Sequence, residues 1–321
     1  MRKVFFASTL VFLSLTCLAQ RPDTLIKKLD SLNQKVDSAG GVQNNNTSPQ
    51  AYNELTQFTP SSFFLLEWSN LKQSFTKPFH MSRKDWGKLG KFVVITGALS
   101  FLDEPIQKRA LDIREHNATL RSISQQITNF GGPYEGYTLA ALGAYGFLFH
   151  KKKMQTTTLL ALQSYITGAA VESVLKFLSG RQRPYVVNPK QGEPEPTFRG
   201  PFHAMRDAQG NRLNSSFPSG HTTVAFAAAT VYALEYKNKP WVPVFAYTAA
   251  SLIGISRITQ NAHWATDVLA GAALGYLTGR QVVNNYHRYA KLKAPKQQKN
   301  FVSFSLGYGN GQLIPSLVYR F

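Results

Sequence analysis

The sequence predicts an all-α fold, a six-helix bundle, on three observations. Six apolar runs of helical length follow one another between residues 82 and 290. No alternating strand pattern interrupts them. The punctuation between runs is that of helix ends, with Gly180 closing one run and Pro218-Ser219-Gly220 opening the next. The 321 residues, 43% of them hydrophobic, are enough for one large domain or two small ones.

Residues 1–19 join Arg2 and Lys3 to an apolar run from Val4 to Leu18 and read as a secretory signal cleaved after Ala19. The protein is therefore expected in the periplasm or cell envelope. A lipidated Cys17 and an uncleaved anchor are the competing readings, the second with a short apolar run for a span. Cys17 is the only cysteine, so the mature chain is expected to hold no disulfide.

Residues 20–81 form an N-terminal segment. Leu25, Ile26, Leu29, Leu32 and Val36 recur at helical spacing, and Gly40-Gly41 with residues 44–49 make a flexible linker. Ser62 to Phe79 carries Phe63, Phe64, Trp68, Leu71 and Phe75, an aromatic amphipathic helix. It either lies in a membrane interface or packs on the bundle.

The bundle, residues 82–290, has helical runs at about Lys88–Leu102, Tyr134–His150, Thr156–Ser179, Ser219–Tyr236, Trp241–Ile258 and Trp264–His287. A shorter polar helix with turns fills Asp103 to Phe130. Residues 185–217 are long for a loop in a compact domain. They read as a lid or substrate-access wall, with Tyr185, Phe198, Arg199, Phe202 and His203 as candidates, or as a plain surface insertion. Residues 300–321 change period: Val302, Phe304, Leu306 and Tyr308 alternate with small polar residues, Asn310-Gly311 signals a turn, and Leu317, Tyr319 and Phe321 alternate again. That is a β-hairpin.

The net charge of +19 calls for an anionic partner, yet no nucleic-acid motif is present. A membrane surface or a phosphorylated small-molecule or lipid substrate fits better. Arg83–Lys91, Lys151–Lys153, Lys237–Lys239 and His287–Lys299 all fall at one end of the expected bundle, as the positive-inside rule gives for an integral membrane protein. The uncharged runs are short for spans, so the expectation is a membrane-associated exported bundle, peripheral or shallowly inserted. An integral membrane protein is the alternative.

Three stretches carry chemistry. Lys176 falls in the last turn of its run and Arg183-Pro184 follows the Gly180 stop. Pro218-Ser219-Gly220-His221 precedes an Ala-rich helix, where the Ser219 and Gly220 N–H groups would form an anion site at a positive helix end. In Ser256-Arg257 and His263 to Asp267, a helix beginning near His263 would set Asp267 on its face, four residues on. That carboxylate could take the imidazole Nδ1–H and leave Nε2 bare as a nucleophile. Arg257 is a planar fork suited to phosphate. Each pair alone reads as a surface ion pair or helix-end charge. His80, His116, His150 and His287 match no ligand spacing.

The ordered set Lys176-x6-Arg183-Pro184, Pro218-Ser219-Gly220-His221 and Ser256-Arg257-x5-His263-x3-Asp267 resembles the type 2 phosphatidic acid phosphatase and vanadium haloperoxidase superfamily. The intervals between the parts are residues 185–217 and 222–255. The resemblance covers roughly Trp86 to His287 and implies a helical bundle with its site at one end. It implies that His263 attacks phosphorus, Asp267 holds the ring, and His221 protonates the leaving oxygen and then activates water. Lys176, Arg183 and Arg257, with Ser219 and Gly220, would neutralise the phosphoryl oxygens. No cofactor or metal is implied. A vanadate-dependent haloperoxidase and an idle envelope protein binding anionic lipid are the alternatives. One expectation goes further: three cations in an empty site disfavour protonated His221, and bound phosphate reverses this.

Overall fold

The computed structural model describes residues 58–187, 192–210, 212–293, 301–309 and 312–320. The expected signal, first amphipathic helix, linker and Asn310-Gly311 turn lie outside them. Among the described residues there are nine α-helices: α1 (Pro60–Thr76), α2 (Arg83–Leu99), α3 (Asp103–His116), α4 (Ala118–Phe130), α5 (Pro133–Leu148), α6 (Lys152–Ser179), α7 (Gly220–Glu235), α8 (Trp241–Thr259) and α9 (Ala265–Lys293). Two strands, β1 (Phe301–Gly309) and β2 (Gln312–Arg320), pair antiparallel. Each of the six expected runs falls on one of these helices. The count differs because the single polar helix expected over 103–130 is two helices, broken at Asn117. Asn117 is extended (φ −135°, ψ 94°) and its side chain accepts the Leu120 N–H.

Local chemistry explains the other boundaries. Thr59 and Ser62 form a reciprocal cap with Pro60 in the first turn, so α1 starts where the sequence turns aromatic. The expected aromatic helix ends sooner than Phe79: α1 stops at Thr76 and Lys77–His80 is a 3₁₀ turn. Ser82 accepts the Asp85 N–H, which starts α2 ahead of the expected Lys88. Gly180, with φ of 53°, ends α6 in the left-handed region; a Cβ there would strike the Gly200 carbonyl.

Helix α7 is the axis. Val224, Ala225, Ala227, Ala228, Ala229, Val231 and Ala233 are all buried, so the helix is apolar around its girth and needs neighbours on every side. It packs against α6, α8 and α9. Against α9 the backbones approach closely. Added Cβ atoms at Gly271, Gly275 and Gly279 would collide with the carbonyls of Ser219, Thr223 and Ala227 in turn. Larger apolar residues (Leu66, Leu160, Val231, Val282, Val283) complete the core. Helix α1 joins α6 and α9 through polar contacts, Thr167 to Glu67 at 3.0 Å and Asn285 to Asn70 at 2.8 Å.

The outer surface is apolar where a water-soluble bundle would be polar. On α2, Val93, Val94 and Ile95 are exposed; on α5, Phe147 and Leu148; on α8, Val244, Phe245 and Ile255. Exposed large apolar side chains on several helices mark an interaction surface. Among the described residues, α6 and α8 are long and apolar enough to cross a membrane, with 44% and 22% of their apolar stretches buried inside the protein. The short uncharged runs of the sequence understate this, because α6 carries Gln163 and Glu172 inward, where both are buried.

Candidate active site

Four helix ends converge. Lys176 closes α6, His221 lies in the first turn of α7, Arg257 in the last turn of α8, and His263 in the turn before α9. The basic stretches at the starts of α2 and α6 and after α7 occupy the opposite end.

His263 is 1% exposed, and its Nδ1 lies 2.7 Å from the Ser216 carbonyl oxygen. A carbonyl only accepts, so Nδ1 carries the proton and Nε2 is left with its lone pair. This corrects the expected pairing: Asp267 Oδ2 stands 3.7 Å from Nδ1, beyond hydrogen-bond reach. The reason is that α9 begins at Ala265, not near His263, so His263 precedes the helix. Asp267 reaches back to accept the Trp264 N–H at 2.9 Å, the acidic half of a capping box. Its carboxylate also accepts from Ser216 Oγ at 2.5 Å and from Arg181 Nη1 at 2.6 Å.

Arg181 is the residue that sequence reasoning passed over. It is 1% exposed, donates from Nη2 to Asp103 at 2.6 Å and from Nη1 to Asp267 and to Thr266 Oγ1. Asp103 in turn accepts the Thr266 N–H at 2.9 Å and its hydroxyl at 2.5 Å. Phe198 lies over the guanidinium, 4.8 Å from ring centre to carbon. Burial pushes the Asp267 carboxyl up, but the His263 imidazole, the Arg181 guanidinium and the Ser216 hydroxyl outweigh it, and the net direction is down. The only signal in the sequence was a second arginine within Arg181-Gln182-Arg183.

The opening of α7 also departs from expectation. The Ser219 N–H donates to the Asp267 backbone carbonyl at 3.0 Å and is thus not offered to a ligand. Ser219 Oγ accepts from Thr222 Oγ1 at 2.9 Å. Gly220 keeps its place as first residue of the helix, where an N–H has no carbonyl four residues back. His221 packs against a second overlooked feature, the Gly131-Gly132 pair between α4 and α5. A Cβ on Gly132 would stand 3.2 Å from His221 Nε2.

Around the two imidazoles stand the cations. Arg183 makes only long contacts, 3.3 to 3.4 Å, to Ser215 and the Ala262 carbonyl. Arg257 Nη1 donates to Thr128 Oγ1 at 3.1 Å. The Nε groups of both arginines are buried without a partner among the described residues. Lys176 is paired with Glu172, one turn earlier on α6. His221 is pushed down to about 3, first by burial and then by Arg257, His263, Lys176 and Arg183. His263 is pushed down to about 4, again first by burial, with Asp267 opposing and Arg183 and Lys176 adding to it. The direction for His221 matches the sequence expectation, but desolvation leads where the cations alone had been invoked.

Of the loop candidates, Arg199 donates to the Gln182 side chain, Phe198 stacks edge-on against Phe217, and Phe202 is 92% exposed. His80 bonds the Thr76 carbonyl at the end of α1, His116 bonds the Asp112 carbonyl of its own helix, and His287 pairs with Glu235.

The PAP2 superfamily model matches residues 157–291. A lipid A 1-phosphatase of Porphyromonas gingivalis is 59% identical over 66 residues, 20% of this chain and 15% of that protein. Phosphatidylglycerophosphatase B of Bacillus subtilis is 30% identical over 190 residues, 57% of this chain and 82% of that protein. The crystal structure of a transmembrane PAP2 type phosphatidylglycerolphosphate phosphatase from Bacillus subtilis superposes with a TM-score of 0.46 at 24% identity, over 65% of this chain and 96% of that one.

Proposed function

Since the chain belongs to the PAP2 superfamily, we propose that it hydrolyses a lipid phosphate through a phosphohistidine on His263. The observation that carries this is the Ser216 carbonyl on Nδ1, which leaves Nε2 unprotonated on an imidazole that feels the charges of Arg183 and Lys176. Nε2 forms the bond to phosphorus as the bond to the leaving oxygen breaks, and His221 gives that oxygen its proton. Water then attacks the phosphohistidine, His221 takes the water proton, and orthophosphate and free Nε2 result. Lys176, Arg183, Arg257, the Ser219 hydroxyl and the Gly220 N–H receive the phosphoryl oxygens. Three fixed cations stand where a metal would otherwise stabilise this charge, so the reaction is metal-independent. In the empty site His221 is neutral at pH 7. A bound phosphate dianion favours the imidazolium that the first step needs.

The substrate class follows from the exposed apolar faces of α2, α5 and α8, which we set against lipid, with the site at the membrane surface. We read residues 82–290 as the catalytic bundle, built around α7 with α6, α8 and α9 packed on it. Export through residues 1–19 and attachment to the cell envelope complete the reading, and the relatives that act on lipid A and phosphatidylglycerophosphate support it.

The test is phosphate release, in EDTA, from phosphatidic acid in detergent and from a water-soluble monoester, with His263→Ala as blank. Release from the lipid in preference to the soluble ester is expected, and at least a thousandfold loss, to order of magnitude, in the variant. Release from the soluble ester alone would sink the lipid assignment, and activity surviving in the variant would sink the phosphohistidine.

A further inference from the structure

We propose that Glu172 limits how tightly this site holds phosphate, by keeping Lys176 paired at the opening turn of α7. The proposal rests on the phosphatase reading above and assigns a role to a carboxylate which that mechanism does not use.

Glu172 is 6% exposed, so its charge is little screened by water. It pairs with Lys176, the helix-favoured order of acid one turn before base. Its other oxygen has only a long contact, 3.4 Å, from Ser173 Oγ. The pair sits where phosphate must bind. A Cβ built on Gly220 would lie 2.6 Å from Glu172 Oε1 and 3.2 Å from Lys176 Nζ. The bare Gly220 thus lets the ion pair lie close against the start of α7. An anion arriving at Gly220 meets a lysine already neutralised by a fixed carboxylate. Of the three positive charges on Lys176, Arg183 and Arg257, one is offset, and a phosphate dianion faces two.

A site with all three uncompensated would bind substrate more firmly, but it would bind orthophosphate more firmly too. Orthophosphate is the last species to leave the two-step reaction, so tighter product binding slows turnover. Glu172 is therefore a positioning residue for Lys176 and sets the affinity for the shared phosphoryl group.

The experiment is inhibition by orthophosphate, with KM and kcat for phosphatidic acid, on the purified full chain. Glu172→Gln keeps the shape and removes the charge. The orthophosphate Ki is expected to fall about tenfold, with KM falling in parallel and kcat not rising. Glu172→Asp, which restores the charge, should bring Ki back toward wild type. A purely structural role would lower kcat through loss of active protein and leave KM and Ki where they were, and that result overturns the proposal. If Glu172→Gln does not fold, the double variant Glu172→Gln, Lys176→Gln is compared with Lys176→Gln alone; because Glu172 acts through Lys176, the two orthophosphate Ki values are expected to agree within about twofold. A double that binds orthophosphate about tenfold tighter would mean that the carboxylate repels phosphate directly, and would overturn the pairing. Wild-type protein that hydrolyses nothing and binds no orthophosphate refutes the phosphatase reading itself; active wild type with an unmoved Ki refutes only the role of Glu172.

Discussion

The two sides of His263 are built on opposite rules. Behind the ring, Asp103, Arg181, Thr266, Ser216 and Asp267 bond to one another at 2.5 to 2.9 Å, and of the charged groups there only Arg181 Nε lacks a partner among the described residues. In front, Arg183 is held by contacts of 3.3 to 3.4 Å, and both it and Arg257 keep a buried Nε unused. One side uses its donors inside the protein to fix a geometry. The other keeps donors back for an incoming anion. The contrast locates rigidity and affinity in different residues, and each can be attacked separately.

The largest effect should come from removing the centre of the rear network. Arg181→Met leaves Asp103 and Asp267 as facing buried carboxylates, and unpairing buried charges costs roughly 3–5 kcal/mol. Chemical denaturation should show the loss directly. A cost below about 1 kcal/mol, the scale of a surface pair, would mean the network is not structural at all.

Asp267→Asn tests what holds the imidazole. Where a carboxylate alone sets the tautomer, its amide costs roughly ten-thousandfold in kcat. Here the Ser216 carbonyl already takes the Nδ1 proton, so a fall of about a hundredfold in phosphate release is expected, from the lost charge behind the ring. A ten-thousandfold fall would return the tautomer to Asp267.

The smallest effect concerns pH. Both imidazoles have folded values below the ordinary ~6.5, about 3 for His221 and about 4 for His263. Between pH 6.5 and these values the unfolded chain takes up protons that the folded chain refuses. Their contribution to stability is complete above pH 6.5 and is lost as pH falls, so the melting temperature should drop by about 5 °C between pH 7 and pH 5. Orthophosphate should lessen that drop, since it favours a protonated His221. A melting temperature that rises on acidification would contradict both assignments.

The front of the site was legible in the sequence and the rear was not, for a physical reason. Lys176, His221, Arg257 and His263 lie at or beside helix ends and Arg183 shortly after one, and helix ends are marked by Gly180, Pro218 and Gly220, so their places could be read from periodicity and caps, while the resemblance implied that they form one site. Arg181 and Asp103 are 78 positions apart and meet only when the start of α3 packs against the segment that follows α6. Nothing local distinguishes the inward-facing Arg181 from Arg183, two residues on. Backbone partners are equally silent: the Ser216 carbonyl on His263 and the Asp267 carbonyl on the Ser219 N–H belong to the chain, not to any residue type. The apolar runs were read as short for spans for the converse reason. Polar residues on α6 broke the apolar count, although Gln163 and Glu172 point into the protein.

The glycine ladder of α9 has a consequence for how such a protein can vary. Gly271, Gly275 and Gly279 seat α9 on the main chain of α7, and these two helices lead directly to His263 and His221. The spacing of His263 and His221 is thus gauged by peptide groups, and a side chain added at any of the three glycines would force the helices apart. Any change of selectivity must then come from residues outside the ladder. Libraries aimed at altered selectivity belong there, and substitutions in the ladder should yield few active members of any specificity.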